Sequence, residues 1–317
     1  PAFRRVRPVS MGRSVTEERP VPMLDRRRFL QTLLAGGAGF LSLGGYALGI
    51  EPRLRLAVTH HRLALAGWPT GAKPLRAAIL TDLHACEPWM PVERIEEIVE
   101  ATNRLAPDIV FLLGDYVSGV RWGSRELAPE VWARPFARLA APLGAHAVLG
   151  NHDYWWEGGP KPVIAALRRA GVAVRLNDAV RIDRDGHRFW VSGTESIMAH
   201  HVGRGRFEGR ADLERALGHV DDDLPIVHLA HEPALITRIP RRVALTLSGH
   251  THGGQISLPF FGAPVARGYD LRWVHGRYDV DGRTLVVSSG LGCTFLPIRF
   301  MVPPEIALVE VSSPPNV

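Results

Sequence analysis

The chain has 317 residues with 46% hydrophobic content, enough for one large core or two small ones, which excludes a disordered or fibrous protein. Its formal charge of +6 sits at the N-terminus, where residues 1–30 carry eight arginines against three acids and leave only +1 for the remainder. The basic balance therefore argues only weakly for nucleic-acid binding by the folded part, and no nucleic-acid partner is expected.

Arg26, Arg27 and Arg28 precede an uncharged stretch from Phe29 to Ile50, "FLQTLLAGGAGFLSLGGYALGI", the layout of a basic n-region and an apolar h-region. The order Arg-Arg-x-Phe-Leu from Arg26 to Leu30 resembles the twin-arginine export consensus, and six glycines between Gly36 and Gly49 keep the segment mildly hydrophobic. A membrane span is the competing reading, since about 20 apolar residues suffice. Ala47-Leu48-Gly49 is only a fair cleavage site, so retention as an uncleaved anchor stays open. A start at Met23 gives a compact n-region, and residues 1–22 read as either foreign to the natural product or a dispensable extension. The expected organisation is an extension with signal or anchor over 1–50 and one catalytic domain over 51–317.

Beyond Glu51 the pattern alternates between strands and helices. "RLRLAV" (53–58) and "HRLALAG" (61–67) alternate polar and apolar residues and predict a hairpin. "RAAIL" (76–80) is a short apolar run ending in "TDLHAC". Helical spacing of Ile95, Ile98, Val99, Thr102 and Leu105 follows Pro91, and "DIVFLL" (108–113) is a buried strand ending in "GDYV". A second helix is predicted across Pro129 to Leu139, after which "HAVL" (146–149) runs into "GNHDYWW". A third helix, Lys161 to Ala170, leads to strands around 172–176 and 189–192. "PIVHLAHEP" (225–233) and "VALTLSGHTHGG" (243–254) repeat the strand-and-cluster arrangement. No internal repeat or long linker interrupts it, so the fold class is α/β.

Five apolar strands each end in Asp, His or Asn: Asp82 with His84; Asp115; Asn151 with His152 and Asp153; His231; His250 with His252. In open α/β sheets, sites lie at the carboxyl ends of strands, so these clusters are expected to converge. Converging carboxylates and imidazoles are costly to bury unless cations neutralise them. The donors are oxygen and nitrogen with no cysteine, which favours manganese, iron or zinc. Six or more ligands exceed the needs of one tetrahedral ion, and two ions about 3.5–4 Å apart would use them, with Asp115 the best bridging candidate.

The order "DLH", "GDYV", "GNHD", "AHEP", "GHTHGGQ" resembles the calcineurin-like metallophosphoesterase family, and "SSGLGCTFLPIRFMVPPEIALVEV" is similar to the C-terminal signature of its exported bacterial branch. The resemblance implies a four-layer α/β/β/α sandwich. It assigns Asp82, His84 and His252 to one divalent metal ion and Asn151, His231 and His250 to the other, with Asp115 bridging. It makes His152 the residue that contacts phosphate and protonates the leaving oxygen, with Asp153 orienting it. A phosphodiester, lipid-linked substrates included, would then be hydrolysed by in-line attack of a metal-bridging hydroxide, with manganese the first choice of metal.

The alternatives are a pyrophosphatase acting on UDP-2,3-diacylglucosamine in lipid A synthesis, which needs the cytoplasmic membrane face, and a metal-bound envelope-binding protein without turnover. The expected partners are the phosphoester, the twin-arginine machinery and a membrane, and the expected location is the periplasm or cell envelope. Tyr154, Trp155 and Trp156 are either core or an apolar wall for an acyl chain, sugar or base. His200 and His201 are a solvated loop or a pocket wall, and His228, inside a strand, is a satisfied polar residue. Cys86 and Cys293 are too few for a disulfide framework and read as free thiols; Cys86, two residues past His84, has no role in the resemblance.

Overall fold

Two sheets packed face to face explain why the short apolar runs of the sequence have no polar side. A computed structural model describes residues 41–120, 123–268 and 271–315, with 31, 37 and 39. Contacts divide the chain into Pro1–Leu43 and Gly44–Val317, and the second unit is the one described below. Met23 and the Arg26–Leu30 motif lie outside the described residues. No helix among the described residues is long and apolar enough to cross a membrane.

The twelve strands of the two large sheets are β1 (Ala57–Ala64), β2 (Leu75–Leu80), β3 (Ile109–Leu112), β4 (Ala145–Ala147), β5 (Ala173–Val174), β6 (Asp178–Arg184), β7 (His187–Gly193), β8 (Ile226–Leu229), β9 (Val243–Ser248), β10 (Gly276–Val280), β11 (Arg283–Val287) and β12 (Glu305–Ser312). The first sheet has the order β1-β12-β2-β3-β4-β5 and the second β10-β11-β9-β8-β7-β6. β2, β3, β4 and β5 run parallel, as do β7, β8, β9 and β11, so each sheet sends several carboxyl ends to one edge.

Side chains alternate between two hydrophobic layers. On β2, Ala77 and Ile79 face the layer between the sheets, with Phe111, Val227, Leu229 and Leu247. Ala78 and Leu80 face a layer shared with helices α1 (Val92–Arg104) and α2 (Pro160–Arg169). A third layer, with Trp190, Ile226, Leu285 and Ile236, covers the outer face of the second sheet. Strands buried on both faces read as continuous apolar runs, and this is the α/β/β/α sandwich. Ile95, Ile98 and Val99 form the buried stripe of α1, as their spacing predicts.

Two sequence expectations are corrected. Residues 53–67 form no hairpin: Glu51–Leu54 is a short helix with Pro52 in its first turn, and β1 is one strand paired in parallel with β12, more than two hundred residues later. Pro129 to Leu139 is no single helix, because Pro135 ends the Pro129–Trp132 turn and the chain continues as a 3₁₀ segment, Arg134–Arg138.

Candidate metal centre

All five strand-end clusters come together where the carboxyl ends of the two sheets meet. Asp82 and His84 follow β2, Asp115 follows β3 and Asn151 follows β4; His231 follows β8, and His250 and His252 follow β9. Backbone hydrogen bonds stitch these loops together: Asp82 N–H to Gly114 O (3.0 Å), His84 N–H to Asp115 O (3.0 Å) and Gly249 N–H to His231 O (3.0 Å). Gly150 is required by this crowding, since a Cβ there would lie 2.2 Å from Asp115 Oδ1 and 2.7 Å from His231 Cε1.

The backbone is strained at the cluster. Asp82, His84, Asp115, His250 and His252 adopt φ of 52°, 48°, 58°, 72° and 53°, a left-handed conformation that costs non-glycine residues of order 1 kcal/mol each. Five such residues in one place persist because the surrounding loops over-determine them, and the effect is to turn every side chain inward.

Donor atoms form two groups that share Asp115. Asp82, His84, Asp115 and His252 offer atoms within 4.8 Å of one another, and Asp115, His231 and His250 form a second such group. In the first, His84 Nε2 lies 3.1 Å from His252 Nε2 and 3.6 Å from Asp115 Oδ2, and His252 Nε2 lies 3.5 Å from Asp82 Oδ1. In the second, His231 Nε2 is 3.2 Å from Asp115 Oδ2, outside hydrogen-bonding geometry, and Asn151 Oδ1 is 2.9 Å from His250 Nδ1. The seven residues Asp82, His84, Asp115, Asn151, His231, His250 and His252 are therefore one constellation.

The chemistry of these donors fits divalent cations. His84 Nδ1 and His231 Nδ1 each face a backbone carbonyl, Val117 O at 2.9 Å and Leu113 O at 2.7 Å, which can only accept. Each ring thus carries its proton on Nδ1 and can offer the Nε2 lone pair to the cluster, the arrangement that orients metal-ligating histidines. Burial pushes His84 and His250 down to about 3 and His252 well below its ordinary value, so these imidazoles are neutral and ligand-ready at physiological pH. Burial also pushes Asp82 up to about 7, the response of a carboxylate short of positive charge. Burial works against ionised Asp115 as well, yet the imidazoles around it, His231 first, hold its carboxyl well below the usual range. His231 in turn is raised: burial opposes its charge, but Asp115 outweighs it. The upward shifts of Asp82 and His231 both mark a cluster short of positive charge, the deficit that divalent cations would supply.

His152 and Asp153 open the short helix Asn151–Trp155. The His152 ring is edge-on to His84, with centroids 4.8 Å apart, and its backbone N–H donates to Asp115 Oδ1 at 2.8 Å. Asp153 is buried and accepts from the backbone amides of Gly150 (2.8 Å), Asp115 (3.0 Å), Tyr116 (2.9 Å) and Val117 (3.3 Å). Through these amides Asp153 clamps the Asp115 loop to the turn that carries His152.

A cavity of about 540 Å³ opens from the cluster, with Asp115, His152 and His250 at its polar end. Its walls are apolar: Trp155, Phe207, Ile256, Phe295, Leu296 and Ile298. Trp155 stacks on Phe207 (centroids 5.4 Å, interplanar 16°) and donates from Nε1 to Met198 O at 2.9 Å. The Tyr154-Trp155-Trp156 run thus divides between both readings, because Trp156 and Tyr154 pack against the core while Trp155 is wall. His201 stands edge-on behind Phe207, and His228 is a buried strand residue facing Ser192 and Thr194. Cys86 and Cys293 are free and buried in one small cluster. Phe207, Ile256, Leu296 and Ile298 escaped the sequence reading because they come from distant loops, although the C-terminal signature contains two of them.

Comparison with known proteins agrees with this geometry. The family model described as calcineurin-like phosphoesterase matches residues 75–254. The uncharacterized metallophosphoesterase YkuE of Bacillus subtilis is 30% identical over 92% of this chain and 98% of its own length. The phosphodiesterase YaeI of Escherichia coli is 29% identical over 91% of this chain and all of its own. A bovine transmembrane protein with a metallophosphoesterase domain is 30% identical over 94% of this chain and 66% of its own. With that family's fold and a buried donor cluster suited to divalent metals, the chain belongs to the calcineurin-like phosphoesterases and is a phosphoric ester hydrolase.

Proposed function

We propose that the chain is an envelope phosphodiesterase whose substrate carries a lipid or other large apolar group on one side of the phosphodiester. The observation that carries this reading is the apolar cavity opening directly from the donor cluster, too large and too dry for a bare phosphate. The relative named a phosphodiesterase and the relative named a transmembrane protein point the same way.

Asp82, His84, His252 and Asp115 would hold one divalent ion, and Asn151, His231, His250 and Asp115 the other. Nitrogen and oxygen donors without thiolate suit manganese, iron or zinc, and manganese is the ion proposed first. Bound there, the ions supply Lewis-acid charge for the phosphate oxygens and acidify water at neutral pH. The chain's own residues do the rest. Trp155, Phe207 and Leu296 bind the apolar group and exclude water from one side of the phosphate. Its polar end is thereby held against His152, whose ring nitrogen donates a proton to the departing alkoxide oxygen. Asp153 fixes the distance between His152 and Asp115 through the four amides it accepts from.

The test is turnover by the manganese-loaded chain on a phosphomonoester, bis-p-nitrophenyl phosphate, a nucleoside diphosphate-sugar bearing acyl chains, and a phosphodiester lipid. The expected result is hydrolysis of both diesters, with the lipid preferred. Cleavage confined to the diphosphate would replace this reading by the pyrophosphatase, and metal binding without turnover on any of the four would leave an envelope-binding protein.

A further inference from the structure

Three segments far apart in sequence meet beside the mouth of the apolar cavity. Ser257 N–H donates to Phe300 O and Phe300 N–H to Gln255 O, both at 2.9 Å, which lays the 255–262 loop along the 296–302 loop. Arg299 N–H donates to Ala47 O at 3.0 Å, and the Glu51 carboxylate accepts from Met301 N–H (3.0 Å) and Val302 N–H (2.7 Å), which fixes the 46–51 segment to the same place. The Tyr46 ring meets Phe300 edge-on at 6.5 Å.

Charge is missing from this face. Residues 44–50, 255–266 and 290–304 contain one charged side chain between them, Arg299. It is fully buried and donates to the carbonyls of Ser289, Gly292 and Val302. What the face exposes is large and apolar: Phe260 is 103% exposed, Phe261 65%, Met301 56% and Leu296 53%. Phe260 stands at the apex of a turn closed by Leu258 and Gly262, at φ 67°, so the fold holds a fully solvated aromatic ring in an unfavourable backbone conformation and gains no packing from it. Leu296 and Ile256 also line the cavity, so the face and the cavity are continuous. Finally, the uncharged stretch that begins after Arg28 runs into this same face, where its last residues, Tyr46–Ile50, pack against the fold.

We propose that this face docks onto a phospholipid bilayer, with Phe260, Phe261, Leu296 and Met301 inserted at the boundary of headgroups and acyl chains. The cavity mouth then opens toward the membrane, and a lipid reaches the donor cluster without its acyl chains crossing water. The docking surface deepens the proposed lipid-linked phosphodiester function and rests on it for what enters the cavity. The segment from Tyr46 to Glu51, packed on the face, joins the uncharged stretch to the fold at the membrane surface, as an uncleaved anchor requires.

The experiment uses the full chain in vesicles of phosphatidylcholine and phosphatidylglycerol. Because Cys86 and Cys293 are buried, a nitroxide reagent will mark an introduced thiol selectively. Phe261→Cys carries the probe on the face, and Arg188→Cys carries it at an exposed position on β7. The expected result is that oxygen relaxes the label at 261 far better than a water-soluble nickel chelate does, with the reverse at 188. Equal access of the chelate at both positions would overturn the proposal, even though the anchor holds the protein on the vesicle. Spin–spin broadening at 261 in detergent would overturn it in favour of a second copy of the chain covering the face.

A double variant, Phe260→Ser with Phe261→Ser, should keep its turnover of soluble bis-p-nitrophenyl phosphate and lose about tenfold or more on a phosphodiester lipid embedded in vesicles, because interfacial binding scales with the apolar area inserted. An equal rate on the embedded lipid would overturn the proposal. A wild-type chain inert toward every diester, with the label at 261 still in hydrocarbon, would remove the phosphodiesterase reading and leave the docking surface standing.

Discussion

His152 and Asp115 are joined by a 2.8 Å hydrogen bond, yet their chemistry differs and can be separated. Asp115 is shared by both donor groups, so under the proposed assignment Asp115→Asn would remove a negative ligand from two sites at once. It is expected to lose most bound metal and nearly all turnover; elemental analysis with two metals per chain retained would contradict the bridging role. His152 belongs to neither donor group, and its ring stands at the polar end of the cavity. His152→Ala should keep its metal and lose about 10²- to 10⁴-fold in kcat on diesters of poor leaving groups, the usual worth of general acid help. On p-nitrophenyl esters, whose leaving oxygen needs little protonation, the loss should be far smaller. Equal losses on both would make His152 a phosphate-binding residue. At this scale the sequence was most informative: Asp, His and Asn at strand ends are chemically conspicuous, and parallel strands bring such ends together. Asp153 was legible as important but not as a clamp, because its partners are backbone amides that no sequence pattern displays.

Among the strands, β12 does more than close the first sheet. Glu305 at its start accepts from Thr59 Oγ1 on β1 (2.6 Å), from Ser288 Oγ (3.0 Å) and the Ser289 amide (2.7 Å) just after β11, and pairs with His275 Nε2 (3.0 Å) just before β10. One buried carboxylate thus ties the two sheets. Burial opposes its ionisation, but the His275 hydrogen bond and charge and the Thr59 and Ser289 donors together lower it from 4.5 to about 2. A depressed carboxylate stabilises the fold above its unfolded value and loses that contribution as pH falls toward its folded one, so the window lies between about 4.5 and about 2. His275, raised by the same pair, contributes below 6.5 and loses its share as pH rises through its folded value. Glu305→Gln should therefore unfold more easily than wild type by on the order of 3 kcal/mol at pH 7, with the gap closing as pH approaches 2. Denaturant titrations at pH 7 and pH 3 check it, and a gap that is the same at both would contradict the assignment. Such ties were invisible in the sequence, as was the pairing of β1 with β12. Alternation in 53–67 predicts strand locally, but a partner two hundred residues away leaves no local trace, and Pro52 starting a helical turn outweighed the pattern. Pro135 by contrast was a visible signal that the 129–139 helix would break.

For the whole molecule, we propose that the enzyme works outside the cytoplasm. The donor cluster is assembled from loops of both sheets, so metal is best loaded onto a chain that has already folded. An export route for folded proteins suits that order of events, and Arg26-Arg27 followed by Arg28, Phe29 and Leu30 resembles its signal. Replacing Arg26 and Arg27 by lysine keeps the charge of the n-region and removes only the guanidinium pair, whose planar donors an ammonium cannot reproduce. Folded, metal-loaded protein should then remain in the cytoplasm, while a chain starting at Met23 should reach the envelope as well as the full sequence does. Fractionation of the three forms, with protease added to spheroplasts, reads the outcome directly. Protease sensitivity of the lysine variant equal to wild type would make the segment an ordinary signal or anchor. Protection of the wild type itself would place the apolar cavity at the cytoplasmic membrane face, where an acylated nucleoside diphosphate-sugar becomes the better substrate.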